Sequence, residues 1–208
     1  MIFATYGHKA RFRLSKRLEP FALAFLFSVW TCSTGAIAQV ETKTFSNAYI
    51  SFDIPATWDC ERDGAAFSCQ ENGVKKVSSV AILAAKLTDP SSENAAVFAS
   101  ELALQRTLKT QDGRTILSKP IDNRTRCIGG TQWQWGKQFQ SELAGYFTEY
   151  FVALTKGITI LVTISYHTSV EAEGREFART LARHLTVVYQ STNTSSSTTD
   201  DSSCKSEQ

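Results

Sequence analysis

The segment TQWQWGKQFQ, residues 131–140, alternates large aromatic and polar side chains along the chain. Successive side chains of a β-strand point to opposite faces, so a period of two is typical of a strand. One face would carry Trp133, Trp135 and Phe139, and the other would carry Gln132, Gln134, Gln138 and Gln140. The pattern predicts a strand in a sheet with one covered face and one wetter face.

Strand patterns continue on both sides of this segment. Residues 146–154 and 158–166 are apolar runs, and the turn signal Lys156-Gly157 separates them. Three consecutive strands with short connections predict an antiparallel meander. Upstream strands are expected over residues 49–54, 77–87 and 116–128.

Two segments have helical periodicity. Asp89-Pro90 has the form of an N-cap followed by proline, and Asp112-Gly113 is a stop signal, so we expect the first helix between them. Apolar residues from Val170 to Val188 predict the second helix. Its arginines recur every four residues and predict a solvated face with ion pairs: Arg175, Arg179 and Arg183. These elements predict an α+β fold, a mostly antiparallel sheet with two main helices packed on it.

The first 38 residues have the parts of a secretory signal peptide. A basic stretch precedes the uncharged apolar run 21–30, and Ala36-Ile37-Ala38 supplies a small-x-small cleavage site before Gln39. An uncleaved signal anchor is the alternative interpretation. Of the 22 basic and 20 acidic residues, this segment holds five and one, so the mature chain has a net charge of about −2. We therefore expect a periplasmic or secreted protein that binds no nucleic acid.

Four cysteines remain in the mature chain, and an oxidising compartment favours their pairing. Cys60 and Cys69 flank the turn signal Asp63-Gly64, and a hairpin centred there places them opposite each other, which predicts a disulfide. Two buried thiols are the alternative. The pairing of Cys127 and Cys204 stays open, because a bond between them would tie down the tail. Residues 191–208 are rich in Ser and Thr and predict a disordered tail, which leaves one domain over residues 39–190.

The residues from Tyr49 to Trp58, YISFDIPATW, resemble the first strand of the PsbP/Mog1/DcrB-like group. Members of that group often open with an aromatic-rich strand, a proline and then a tryptophan. The predicted order of elements is also similar to theirs over most of residues 45–188. The resemblance implies an α/β/α-like sandwich in a typically non-catalytic accessory or binding protein. No residue pattern carries over the metal or photosystem role of particular members.

We find no catalytic constellation, cofactor motif or metal site in the sequence. His167 and His184 lack the spacing of metal ligands, and no Gly-x-Ser-x-Gly elbow occurs. Ser165 and His167 would share one face of a strand, without an identifiable acid to complete a triad. Glu142 and Glu149 flank a predicted turn, where two carboxylates across a cleft would suit glycoside hydrolysis. Two exposed charges are the alternative interpretation that we favour.

The candidate binding surface lies on the 131–140 strand. Trp133 and Trp135 would offer an aromatic platform for a sugar or peptidoglycan, although we favour a position in the core under a helix. Gln134, Gln138 and Gln140, on the opposite face, are the other candidate surface, because amides bind polar ligands.

These observations favour an exported, non-catalytic accessory or binding protein, with an envelope protein or a small ligand as its partner. One alternative is a cell-envelope hydrolase that uses Glu142, Glu149, or Ser165 with His167. Another is a binder of a small apolar molecule held between the sheet and a helix. Polar groups converging in a cleft would distinguish the enzyme. Contact with a membrane is expected only through an uncleaved signal segment.

Overall fold

A computed structural model describes residues 41–73, 78–110, 112–189 and 204. The predicted signal peptide, residues 1–38, lies outside the described residues, and so does the predicted tail apart from Cys204. The strands are β1 (Thr42–Ser46), β2 (Ile50–Pro55), β3 (Trp58–Asp63), β4 (Ala66–Glu71), β5 (Ser79–Leu87), β6 (Thr107–Lys109), β7 (Thr115–Leu117), β8 (Lys119–Ile128), β9 (Thr131–Phe139), β10 (Tyr146–Thr155), β11 (Ile158–His167) and β12 (Thr186–Val187). The helices are α1 (Ala95–Ala103) and α2 (Glu171–His184), and a short 3₁₀ turn at Thr168–Val170 precedes α2.

Seven strands form an antiparallel sheet in the order β3-β4-β5-β11-β10-β9-β8. The predicted meander is confirmed, because β9, β10 and β11 are neighbours in the sheet and follow one another in the chain. The fold is α+β, and most of its strands lie in this antiparallel sheet, as the sequence predicted. A smaller sheet, β1-β2-β12, and the hairpin of β6 and β7 complete the strands of the described residues.

The two faces of the seven-stranded sheet have different covers. Helix α2 lies directly on one face, where a Cβ added at Gly174 would come within 2.3 Å of the Tyr166 ring. The small sheet covers the same face further along, through an edge-to-face contact of Phe52 with Phe67 at 5.2 Å. Helix α1 packs on the opposite face over β8, β9 and β10. The main core therefore lies between the sheet and the α2 layer.

Helix α1 is shorter than the sequence predicted. Its N-cap is Asn94, whose side chain accepts a hydrogen bond from the Val97 N–H at 3.0 Å. The carboxylate of Asp89, the expected cap, instead accepts hydrogen bonds from Ser91 and Ser92 in the turn before the helix. Both residues are good N-caps by type, so composition did not distinguish them.

The segment expected to continue α1 is a two-stranded hairpin, β6 and β7. Its turn contains Asp112-Gly113, and Gly113 has a φ of 82°, which favours glycine. The same dipeptide that suggested a helix stop therefore reverses a pair of strands. Sequence alone did not separate these two uses of Asp-Gly.

Helix α2 confirms the predicted second helix and its charged face. Arg175 pairs with Glu171 at 2.7 Å, and Arg179 pairs with Glu176 at 3.0 Å. The helix ends at His184, four residues earlier than the apolar pattern suggested, because Thr186–Val187 joins β2 as a strand.

Two disulfides link the described residues. Cys60 and Cys69 are directly opposed in the β3–β4 hairpin with Cα atoms 4.0 Å apart, which confirms the predicted bridge. Cys127 on β8 is bonded to Cys204, with Cα atoms 5.7 Å apart. The second bridge resolves the pairing that the sequence left open. It attaches residue 204 to β8, the edge strand of the seven-stranded sheet.

Candidate functional site

Trp133 and Trp135 lie in the interior, on the face of β9 that α2 covers. Their exposed fractions are 1% and 4%. Trp133 packs edge-to-face on Phe151 at 6.2 Å, and its indole N–H donates to the Ile128 carbonyl at 3.4 Å. An exposed aromatic platform is therefore not present at these two positions, and the core interpretation describes them.

The predicted polar face of β9 is covered by α1. Gln138 is fully buried, and its amide N–H₂ donates to the carbonyls of Leu102 at 2.9 Å and Leu104 at 3.0 Å. Its carbonyl accepts from the Ser118 hydroxyl at 2.9 Å. The end of a helix has carbonyls without partners in the helix, and Gln138 supplies donors for two carbonyls at the end of α1.

The other two candidate glutamines have separate surroundings. Gln134 exchanges hydrogen bonds with Thr125 at 3.1 and 3.2 Å across the β8–β9 ladder. Gln140 lies beyond the strand in the left-handed region, with a φ of 59°. Gln134, Gln138 and Gln140 therefore do not form one accessible surface, because α1 covers the middle of the row.

Glu149 is the centre of a buried polar cluster on the α2 face. It is 2% exposed, and its carboxyl group accepts from the Trp135 indole N–H at 2.8 Å and from the Tyr166 hydroxyl at 2.6 Å. Burial raises the pKa of Tyr166, and the hydrogen bond to Glu149 raises it further, so the phenol stays protonated and donates. The cluster joins β9, β10 and β11, because Glu149 lies diagonally between Trp135 and Tyr166 on the two neighbouring strands.

Lys137 connects this cluster to the start of α2. Its ammonium group lies 4.2 Å from the centre of the Phe147 ring and 2.5 Å from the Glu171 carboxylate. Glu171 also pairs with Arg175 at 2.7 Å. The hydrogen bond from Lys137 is the largest influence that lowers the pKa of Glu171. This ion pair fixes the first turn of the helix against the sheet.

Two arginines from β8 cover the outer side of Trp135. The guanidinium carbon of Arg126 lies 3.7 Å from the centre of the indole ring, and that of Arg124 lies 5.3 Å away. Arg124 pairs with Asp122 at 2.6 Å. Arg126 has no ion pair with any described residue, and its buried Nε has no hydrogen-bond partner there. Burial lowers the pKa of Arg126, and the charges of Arg124 and Arg179 lower it further.

The carboxyl groups of Glu142 and Glu149 point to opposite faces of the sheet. Glu142 accepts from the Tyr150 hydroxyl at 2.5 Å and from Arg106 at 3.3 Å. The Tyr150 ring packs with Leu102 of α1, whereas the neighbouring side chain, Glu149, points toward α2. The two carboxyl groups therefore do not flank a cleft as glycoside hydrolysis requires.

Ser165 and His167 are engaged with different neighbours. Ser165 is 4% exposed, and its hydroxyl lies 2.9 Å from the Thr148 hydroxyl. The His167 Nδ1 lies 2.8 Å from the hydroxyl of Ser169, in the turn before α2. His184 is at the other end of α2. This helix has 14 residues, so it separates the two histidines by roughly 20 Å. Ser165 and His167 therefore do not pair with each other, because the hydrogen bond of His167 is made with Ser169.

Within residues 41–73, 78–110, 112–189 and 204, no group of three His, Cys, Asp or Glu residues is placed to hold a metal ion. No helix in those ranges combines the length and the apolar character needed to cross a bilayer.

The sequence reasoning missed the buried role of Glu149 and the unpaired Arg126. One signal was available for Glu149: it shares strand parity with Phe147, Phe151 and Ala153, which all face the core. A carboxyl group on an otherwise apolar strand face predicts burial with partners. For Arg126 the sequence carries no comparable signal, because its position over Trp135 depends on the register of β8 and β9.

This architecture is similar to the PsbP fold. The solution structure of cyanobacterial PsbP (CyanoP) from Synechocystis sp. is similar with a TM-score of 0.53 and 10% identity, over 74% of this chain and 97% of that one. The Ran-binding protein Mog1p of Saccharomyces cerevisiae has a TM-score of 0.47 at 10% identity, over 73% of this chain and 97% of that one. LpqN of Mycobacterium tuberculosis, involved in cell envelope biogenesis, has a TM-score of 0.43 at 11% identity, over 71% and 90%.

The similarity is structural. No protein-family model matches the sequence, and no curated protein matches it either. At 10% identity the likeness to CyanoP shows the fold.

Proposed function

We propose that this protein is an exported, disulfide-bonded accessory protein that binds a protein partner and catalyses no reaction. The observation that carries the proposal is that the potentially catalytic side chains lie apart from one another and have separate hydrogen-bond partners. Glu142 and Glu149 point to opposite faces of the sheet, and the Ser165 hydroxyl is hydrogen-bonded to that of Thr148. Catalysis requires such groups to converge on one site.

The disulfides support the exported part of the proposal. Disulfides persist in oxidising compartments and are rare in the cytosol. Cys60–Cys69 and Cys127–Cys204 account for all the cysteines that follow the predicted signal peptide. A periplasmic or secreted location would keep both bridges oxidised.

The PsbP-like fold supports the accessory role, because the family resemblance implies a typically non-catalytic protein. The hydrolase alternative lacks support from Glu142, Glu149, Ser165 and His167, whose side chains have the separate partners described above. The alternative of a small apolar ligand between the sheet and a helix lacks support at α2, because a Cβ added at Gly174 would come within 2.3 Å of the Tyr166 ring.

The proposal is tested by capture of a partner with the mature chain, residues 39–208. The tagged protein is cross-linked in an envelope extract of its own source, and captured proteins are quantified. The matched control is the same bait with both disulfides reduced and alkylated. We expect one protein in near-stoichiometric amount with the oxidised bait, forming a complex on size-exclusion chromatography when both are purified. No such complex, together with turnover of envelope material, would contradict the proposal.

A further inference from the structure

We propose that Arg126 anchors the partner-binding surface, and that it binds a carboxylate on an extended acidic segment of the partner lying along β8. The proposal rests on the proposed binding function and names its site. It is carried by three features of β8: an unpaired guanidinium group, a second arginine on the same face, and the position of the strand at the edge of the sheet.

The first feature is the guanidinium group of Arg126. It stacks on Trp135 at 3.7 Å, and this contact fixes its plane. Its Nε is buried without a partner among the described residues, although a buried donor is normally hydrogen-bonded. Arg124 and Arg179 place further positive charge nearby, and each of these two has its own carboxylate at 2.6 and 3.0 Å. The buried Nε is out of reach of an outside group, so a carboxylate would bind Arg126 end-on, through parallel N–H donors of its two terminal nitrogens.

The second feature is the spacing of the arginines along β8. Arg124 and Arg126 are two residues apart and therefore lie on the same face of the strand. Both approach Trp135, at 5.3 and 3.7 Å. An extended segment lying along β8 would also place every second side chain on one face. The expected ligand therefore has acidic residues separated by one residue.

The third feature is the position of β8 at the end of the seven-stranded sheet. Among the described strands, β9 is its one hydrogen-bonded neighbour. The ladder is irregular between Pro120 and Asp122 and regular from there to Ile128. An extended peptide adds to such an edge through main-chain hydrogen bonds, and side-chain contacts supply its specificity.

The second disulfide does not occupy this face. Cys127 lies between Arg126 and Ile128 on β8, and strand alternation points its side chain away from the face of Arg124 and Arg126. The bond to Cys204 is therefore made on the other face of the strand. A protein segment is favoured over a membrane surface because two arginines at alternate positions of one edge strand suit carboxylates spaced along an extended chain.

The test is a titration of the mature protein with a fluorescein-labelled peptide that carries two glutamates separated by one residue. We expect binding that weakens with salt and is absent for the same peptide with glutamines. Arg126→Gln should weaken binding about tenfold or more, the range for a hydrogen bond to a charged group. The matched control is Arg62→Gln on β3, an exposed arginine at the opposite edge of the same sheet. It should bind as the wild-type protein does.

A second measurement is independent of the folding of the Arg126→Gln variant. In NMR spectra of the wild-type protein, the peptide should shift the Arg126 Nε–H and Trp135 Nε1–H resonances before the others. Equal affinity of Arg126→Gln, equal loss in Arg62→Gln, or binding to anionic phosphatidylglycerol vesicles without binding to the peptide would each overturn the proposal. If a partner is captured equally by the Arg126→Gln bait, the binding function stands and this surface is wrong.

Discussion

Removal of the Glu149 carboxyl group should destabilise the fold, because that group is a structural acceptor. Glu149→Ala would leave the Trp135 indole N–H and the Tyr166 hydroxyl, now at 2.8 and 2.6 Å from the carboxyl oxygens, without an acceptor. Each unsatisfied buried donor costs about 1–3 kcal/mol, so the expected loss is about 2–6 kcal/mol. For a domain of this size, 1 kcal/mol shifts Tm by about 2–4 °C, so Tm should fall by at least about 4 °C.

Two variants calibrate that effect. Glu149→Gln keeps an acceptor for Trp135, and the Tyr166 oxygen can accept from the new amide, so we expect a loss of about 1 kcal/mol. Glu142→Ala removes a half-exposed carboxylate, and the Tyr150 hydroxyl keeps Ser141 at 2.9 Å as a partner. That variant should lose about 1 kcal/mol or less, since solvent screens the pair.

The assay is urea denaturation of the oxidised mature protein, followed by tryptophan fluorescence, with Tm measured in parallel. We expect the wild type to have the highest free energy of unfolding, Glu142→Ala and Glu149→Gln to follow at similar values, and Glu149→Ala to lie well below them. A Glu149→Ala protein as stable as Glu142→Ala would refute the structural role of this carboxyl group.

Three further perturbations test the packing and the ion pair at α2. Trp133→Ala should cost about 3–5 kcal/mol in urea denaturation through a core cavity. Gly174→Ala should lower Tm sharply or prevent folding, because its Cβ would lie 2.3 Å from the Tyr166 ring. Lys137 lowers the pKa of Glu171 in the folded protein below its usual 4.5. The ion pair therefore stabilises the fold above about pH 4.5. This contribution is lost as the pH falls through the lowered pKa of the folded state. The Tm difference between wild type and Glu171→Gln should accordingly be present at pH 7 and disappear near pH 2.

Strand periodicity predicted the parts of the fold that depend on local alternation. The meander of β9, β10 and β11 and the opposed Cys60 and Cys69 follow from a period of two and from turn signals. The end of α1 did not follow from such patterns. The carbonyls of Leu102 and Leu104 at that end accept hydrogen bonds from Gln138, which is 36 and 34 residues away in the sequence. Contacts of that separation in sequence are set by tertiary packing.

The candidate site shows the same distinction. The tryptophans were correctly favoured as core residues, because a large aromatic on a covered strand face is usually buried. Gln138 was expected on a wetter face, but α1 packs across that part of β9. The surroundings of Glu149 come from Trp135 on one neighbouring strand and Tyr166 on the other. Neither contact is visible in the residues that flank Glu149 in the chain.

The central claim, a binding protein without catalysis, is tested most directly by incubating the mature protein with envelope material of its own source. Products released into solution are quantified by mass spectrometry for the wild-type protein and for His167→Ala, whose folding is checked by its urea denaturation because His167 is partly buried and caps the turn before α2. We expect no product that depends on the wild-type protein, and equal capture of the partner by both proteins. A product released by the wild type and lost in the folded His167→Ala variant would contradict the account and identify an enzyme.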